Sequence, residues 1–348
     1  MVDCLVYRLR PRAPFHFGER GVGLEASERI FRSDSLFSAI VSAVRELEGA
    51  AEAEVLLSAF LDDNREPPFL VSSCFPFVAE VLLLPRPFLR PNLPRDPKVA
   101  RLYKNVQYVS IGIWQRLAAG LPLDSDLRDE NLYQQGSVWL RGEEAAGLRS
   151  RGFTPDASLW STQVSPRVSL DRQTSASEIY GCGWAAYSRG TGLYFLARFE
   201  DASLRPRVEA ALRFLGESGL GGERSSGCGS FEPELPPLAR ELPTGESSST
   251  FATLACYKPT LAELRRGVLA PPTSYDLVSR FGWVCSPEGA ALRRKDVTML
   301  AEGSVTSGEK PRGALVDVTP DGFQGHRVYR CGLAFPIPVK IDREDDGR

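Results

Sequence analysis

Gly219-Leu220-Gly221-Gly222-Glu223-Arg224-Ser225-Ser226-Gly227-Cys228-Gly229-Ser230-Phe231 packs five glycines, three serines and one arginine into thirteen residues. Glycine enters positive φ freely and lets a backbone approach another chain closely. Successive N–H groups in such a turn form an anion-binding concavity, and Arg224 adds a planar charged fork shaped for phosphate. A tight helix-to-strand turn explains one or two glycines, but not five with an arginine and three serines. The stretch reads as a loop lying against a nucleic-acid backbone, with Gly221, Gly222, Arg224, Ser225, Ser226, Gly227 and Gly229 as contacts. It is not a nucleotide P-loop, because no Lys follows the glycines. It comes after a helix, so the helix N-terminal dipole that P-loops use is not available to it.

Working outward, Val208, Ala211, Leu212 and Leu215 mark an amphipathic helix over 204–215, with a strand at 192–199 before it and a short strand at 230–234 after it. Upstream, 4–10 alternates like a half-buried strand. Leu36, Phe37, Ile40, Val41, Val44 and Leu47 recur at helical spacing, with Ser33 or Asp34 as N-cap and Gly49 closing the run. A second helix is expected over 51–61 and a strand over 75–84. The order is βαββαβ, that of a ferredoxin-like unit. It is interrupted by an insertion over about 86–190, rich in proline and scattered aromatics, with a short helix at 113–119. Within the insertion, 162–180 forms an extended polar arm carrying Arg167 and Arg172. Residues 236–249 read as a linker. Strands at 250–257, 281–285, 295–300 and 328–339, with a helix at 261–267, suggest a second, degraded unit of the same kind. The expected class is α+β, with two ferredoxin-like (RRM-like) domains at 1–236 and 250–340 and the insertion in the first.

The 348 residues carry a net charge of −2, which argues against a free-standing, non-specific nucleic-acid binder but leaves room for a local basic face. Arginine outnumbers lysine 36 to 6. Coding bias or a stable surface explains that, and so does bidentate phosphate contact. Seven cysteines, none at CxxC spacing, fit reduced buried thiols better than a zinc site or disulfide framework. No apolar run reaches the roughly 20 residues of a spanning helix, so a cytoplasmic protein without membrane contact is expected.

Enzyme signals are thin. The two histidines, His16 and His326, lie far apart and outside any metal-ligand spacing. No metal or cofactor is expected. His16, in Pro14-Phe15-His16-Phe17-Gly18, is either a general acid or base or a hydrogen-bonding loop residue. Arg32-Ser33-Asp34 caps a helix and, through the same helix N-terminus, offers an anion site. Arg167 and Arg172 belong either to a solvated hairpin or to an RNA contact. His326-Arg327 and Tyr329-Arg330 are weaker cationic candidates.

Three stretches together resemble the RAMP proteins of CRISPR interference complexes: Pro14–Gly18 with 32–40, the glycine loop, and 326–332. Within that superfamily the chain is most similar to the type III-A (Csm) subunit that caps the crRNA 5′ end, to which the 32–40 helix and 166–172 point. The resemblance spans 4 to about 338. It implies two ferredoxin-like domains and a non-catalytic subunit gripping the crRNA 5′ handle. It also implies contacts with the large polymerase-like signature subunit and the first backbone RAMP subunit, with target RNA nearby and the 162–180 arm as a thumb-like hairpin. RNA contact then falls to His16, Phe17, Gly18, Arg32, Ser33, Asp34, Arg167, Arg172, the glycine loop, Arg327 and Arg330. Two rivals stay open. One is a metal-independent crRNA-processing endoribonuclease of the same superfamily using His16, and the other is a structural bridge that touches no RNA.

Overall fold

The computed structural model describes residues 2–18, 27–62, 65–91, 93, 96–123, 127–170, 177–242, 244–245, 249–284 and 292–341. β1 (Val2–Pro11) lies one strand in from the end of a ten-stranded sheet. After it come α1 (Ser33–Glu48), α2 (Ala50–Leu61), β2 (Phe69–Val71), β3 (Phe75–Val78) and β4 (Val81–Pro85). The run expected as one strand over 75–84 is a hairpin. Ala79 turns it with φ of 49°, and Val78 pairs with Val81.

The insertion is more ordered than its composition suggests. α3 (Pro97–Asn105), β5 (Tyr108–Ser110), α4 (Ile111–Ala118), β6 (Leu132–Tyr133), β7 (Val138–Trp139) and α5 (Gly142–Ser150) extend the main sheet past β4 in the order β5-β7-β6. Its scattered aromatics are core: Trp114, Tyr133, Trp139 and Trp160 are all buried. β8 (Trp160–Leu170) and β9 (Ser177–Tyr187) then form a separate two-stranded ribbon, in register from Trp160↔Tyr187 to Leu170↔Ser177.

β10 (Thr191–Phe199), α6 (Arg205–Ser218) and β11 (Phe231–Pro233) complete the first unit. Its strands lie in the order β11-β1-β10-β3, so the last strand pairs the first, the first the third, and the third the second, all antiparallel. This is the arrangement that the βαββαβ reading requires. Alternation along β1 sends Tyr7 and Leu9 into the core under α1 and α6, and Cys4 and Val6 into the core on the opposite face. Helix α1 buries Leu36, Phe37, Ile40 and Val44, and α6 buries Val208, Ala211, Leu212 and Leu215, as their spacing predicts.

The C-terminal half departs from expectation. The supposed linker contains β12 (Leu238–Leu242), which pairs with β1 along Val2–Val6. β13 (Thr250–Thr253), α7 (Leu261–Arg265), β14 (Leu277–Arg280), β15 (Val297–Leu300), β16 (Val305–Ser307), β17 (Leu315–Asp317), β18 (Tyr329–Cys331) and β19 (Pro336–Pro338) divide among three small sheets: β16-β13-β19, β14-β15 and β17-β18. Only one short helix is present among these described residues. Element order therefore promised a more regular second unit than the one found. Pro271, Pro272 and Pro320 interrupt the chain between strands, and Pro336 and Pro338 remove donors from the last one. The strand expected at 281–285 is found one step earlier, at 277–280, and Cys285 lies outside the described residues. The expected strand at 328–339 is split into β18 and β19.

The far face of the main sheet is covered. Val6, Tyr194, Leu196 and Phe75 share one core with Ala252, Leu254, Phe335, Ile337 and Val339. The sheet surface that an RNA-recognition module offers to bases is thus occupied by this chain's own C-terminal half, and any RNA contact has to lie at the loops. The six described cysteines are free and buried. No helix among the described residues is long and apolar enough to cross a membrane.

Candidate nucleic-acid interface

The glycine loop folds back on itself and is zipped to the segment after β1. The Gly222 amide donates to the His16 carbonyl and the Gly229 amide to that of Pro14, each at 2.8 Å, while the Leu220 amide donates to the Gly229 carbonyl at 2.9 Å. Two glycines are required by contact as well as by conformation. At Gly221, with φ of 86°, a Cβ would lie 2.4 Å from the His16 carbonyl oxygen; at Gly229, with φ of 89°, it would lie 2.3 Å from that of Leu220. Several amides that the sequence offered as a bare concavity are therefore spent on closure, as those of Ser226, Gly227 and Cys228 are too. What remains outward is a crest: Gly222, Arg224, Ser225, Ser226 and Gly227 are exposed, and Arg224 makes no ion pair among the described residues.

His16 is wedged beneath this crest and only 4% exposed. Its Nδ1–H donates to the Gly183 carbonyl at 2.5 Å, and a carbonyl can only accept, so the proton sits on Nδ1. Phe15 bridges to Ala185 on β9, and Phe17 stacks on Phe15 and is buried. His16 and Phe17 thus clamp the glycine loop to the base of the β8/β9 ribbon. They are not themselves presented to a strand of RNA, although Gly18 is exposed. Arg167 on β8 reaches Glu223 of the loop at 3.6 Å, which ties the ribbon to the crest. The ribbon's opposite face exposes Val164, Val168 and Ile179. Arg172 lies outside the described residues.

The second predicted cluster serves another purpose. Arg32 is the N-cap of α1 and makes no side-chain cap bond; Ser33 and Asp34 belong to the first turn and are buried. Asp34 Oδ2 accepts from Arg280 Nε at 3.0 Å and from Arg330 Nη1, while Arg32 contacts Glu28 at 2.9 Å and Glu302 at 2.5 Å. Ser73 Oγ donates to the other Glu302 oxygen, and Ser33 Oγ accepts from the Cys256 amide. Burial alone would raise the Asp34 carboxyl, but the guanidiniums of Arg280 and Arg330 outweigh it and hold the group well below the usual carboxylate range. Glu28, more desolvated than compensated, is pushed up. The helix N-terminus therefore already has its anion, Asp34 itself. Ser33, Asp34 and Arg330, at 2% exposure or less, and the largely buried Arg32 are corrected from RNA contacts to a lock between the two halves. Arg327 is exposed but pairs with Asp317 at 3.0 Å. Sequence reasoning missed Arg280, Glu302 and Glu223. Their ion-pair partners are between 56 and 270 positions away, and no local spacing signals such pairs.

The glycine loop closes onto 14–16 beside the βαββαβ sheet, with the long β8/β9 ribbon next to it. Residues 246–339 match the family model for the CRISPR Csm4 C-terminal domain. The chain is 28% identical to the "CRISPR system Cms protein Csm4" of Thermococcus onnurineus, over 98% of each chain. It is 26% identical to that of Streptococcus thermophilus, over 93% of this chain and 96% of the relative. Among solved structures it shares its fold with a chain of the Csm3–Csm4 subcomplex of a type III-A CRISPR-Cas interference complex (TM-score 0.67, 20% identity, 97% and 100% covered). It does so too with one of a Csm1–Csm4 cassette in complex with pppApA (TM-score 0.62, 20% identity, 98% and 100% covered). The chain is thus similar from end to end to proteins named Csm4, and its residues 246–339 match that family's C-terminal domain.

Proposed function

We propose that the protein is a non-catalytic subunit of a cytoplasmic type III-A interference complex that grips the crRNA 5′ handle and bridges the large signature subunit to the first backbone subunit. The observation that carries this reading is the exposed, cationic crest at 222–227, held rigid by its closure onto 14–16 and set beside the ribbon. The relatives' names, and solved complexes that pair Csm4 with Csm1 or Csm3, support both partners. In this reading 1–236 and 250–340 are two ferredoxin-like units, the second reduced to β13 with β16 and β19 on either side. The ribbon is the thumb beside which guide and target run. Burial of His16 favours holding over cutting, since a general acid or base has to reach the proton it moves.

Co-purification from a host carrying the whole operon, with sequencing of the bound RNA, tests the reading. Arg224→Glu is expected to weaken crRNA retention by about 1–3 kcal/mol, the scale of one charge-assisted contact. Unchanged retention would favour a bridge without RNA contact. Metal-free cleavage of repeat RNA that disappears in His16→Ala would make the protein a processing enzyme instead.

A further inference from the structure

A groove of about 700 Å³ opens where β12, β1, β10 and β2 lie side by side, away from the glycine loop. Arg198 on β10 lies in it, with its guanidinium over the Phe335 ring at 4.6 Å. Its Nε and Nη2 are shut off from solvent and have no acceptor, and the side chain makes no ion pair among the described residues. Burial lowers its proton affinity, so the charge is held at a cost. Arg8, Arg32, Arg280 and Arg330, also largely buried, each have a carboxylate partner.

The rim repeats the pattern. Asp3, Glu66, Glu200 and Glu241 line the groove with Arg240 and Lys310, and none of these six makes an ion pair among the described residues. Four carboxylates against three cations, Arg198 included, would repel a polyphosphate chain but suit a protein segment carrying both signs. Strand β12 pairs only with β1, so its outer edge has no strand partner among the described residues, and Leu238 beside it is 57% exposed.

From the unpaired guanidinium at the floor, the mixed charges at the rim and the open strand edge, we infer that this groove docks a segment of a neighbouring protein subunit. An acidic side chain of that segment meets Arg198, and its basic neighbours meet the rim carboxylates. The inference rests on the reading of the protein as part of a multi-subunit complex and gives that contact an address.

The test uses the full-length chain with the other protein subunits of its operon, each titrated separately by biolayer interferometry. Arg198→Gln and Arg240→Trp are compared with wild type. The first removes the charge; the second fills the groove from an exposed position and leaves Arg198 in place, so it carries the test if the first does not fold. Both are expected to weaken binding of one subunit by roughly tenfold or more, with crRNA bound per assembled complex unchanged. Subunit affinities indistinguishable from wild type overturn the inference while leaving the proposed function standing. Loss of crRNA at unchanged subunit affinity overturns it in favour of a phosphate site. Failure of the wild-type chain to bind any subunit sinks the proposed function itself.

Discussion

Asp34 and Gly221 show how much single side chains, or their absence, decide here. Asp34→Asn keeps the shape and removes the charge, leaving Arg280 and Arg330 buried beside a neutral amide. Breaking a buried pair from one side costs about 3–5 kcal/mol, and the expected result is a lower urea midpoint at neutral pH. The sign with pH follows from the depressed carboxyl. The unfolded chain takes up its proton near the ordinary value of about 3.9 and the folded chain only at lower pH, so the stabilisation is present above that value and is lost as pH falls through the window below it. Glu28, raised by burial, works the other way and favours the fold at low pH. Thermal midpoints should therefore fall more steeply between about pH 4 and pH 2 in wild type than in Asp34→Asn. Parallel curves would mean that Asp34 is not the group responsible. At Gly221, alanine meets both a carbonyl and a positive φ, so Gly221→Ala should unzip the loop from 14–16 and destabilise by more than the roughly 1 kcal/mol that an unstrained glycine-to-alanine exchange gains. Circular dichroism melting checks it.

Secondary-structure elements divide into those that hold the fold and those that project from it. The β8/β9 ribbon is of the second kind beyond Gly183. Replacing 166–181 with a short turn should leave the melting temperature nearly unchanged and reduce nuclease protection of the guide in the assembled complex. A large fall in melting temperature would make the ribbon structural. Strand β12 is of the first kind: Leu242, 1% exposed, should cost about 2–5 kcal/mol as Leu242→Ala. These two elements also mark what a sequence alone discloses. Helices α1 and α6, β1, β10 and the glycine loop were legible because their periodicity is local. The pairing of β8 with β9 is nearly local in sequence, so the described parts of the expected arm, 162–170 and 177–180, were legible as extended chain. Strand β12 was hidden because Pro236 and Pro237 and the serines at 247–249 give its surroundings a linker's composition, while four of its five residues are exposed. The site was half legible for a similar reason. Glycine and arginine advertise a loop that can hold phosphate, but nothing in Arg32-Ser33-Asp34 reveals that two arginines near the other end of the chain fold onto it.

Taken whole, the two halves of the chain are packed on a shared core. A single apolar core runs from Cys4 to Val339 and contains residues from the first unit, the insertion and the C-terminal half. A fragment ending at residue 236 would expose Val6, Leu196, Phe75 and their neighbours and would lack Arg280, Glu302 and Arg330. It is expected to bind a hydrophobic dye and to melt without a cooperative transition, whereas the full chain should show one calorimetric peak. Two separable peaks would mean that the halves are independent domains after all.

The Asp34 lock also has a meaning in time. The carboxylate leaves the ribosome early, and its partner Arg330 follows 296 residues later, a delay of roughly 15–60 s at about 5–20 residues per second. Until then the lock between the halves is incomplete: Arg280, 246 residues after Asp34, can meet the carboxylate, but the second guanidinium is still missing.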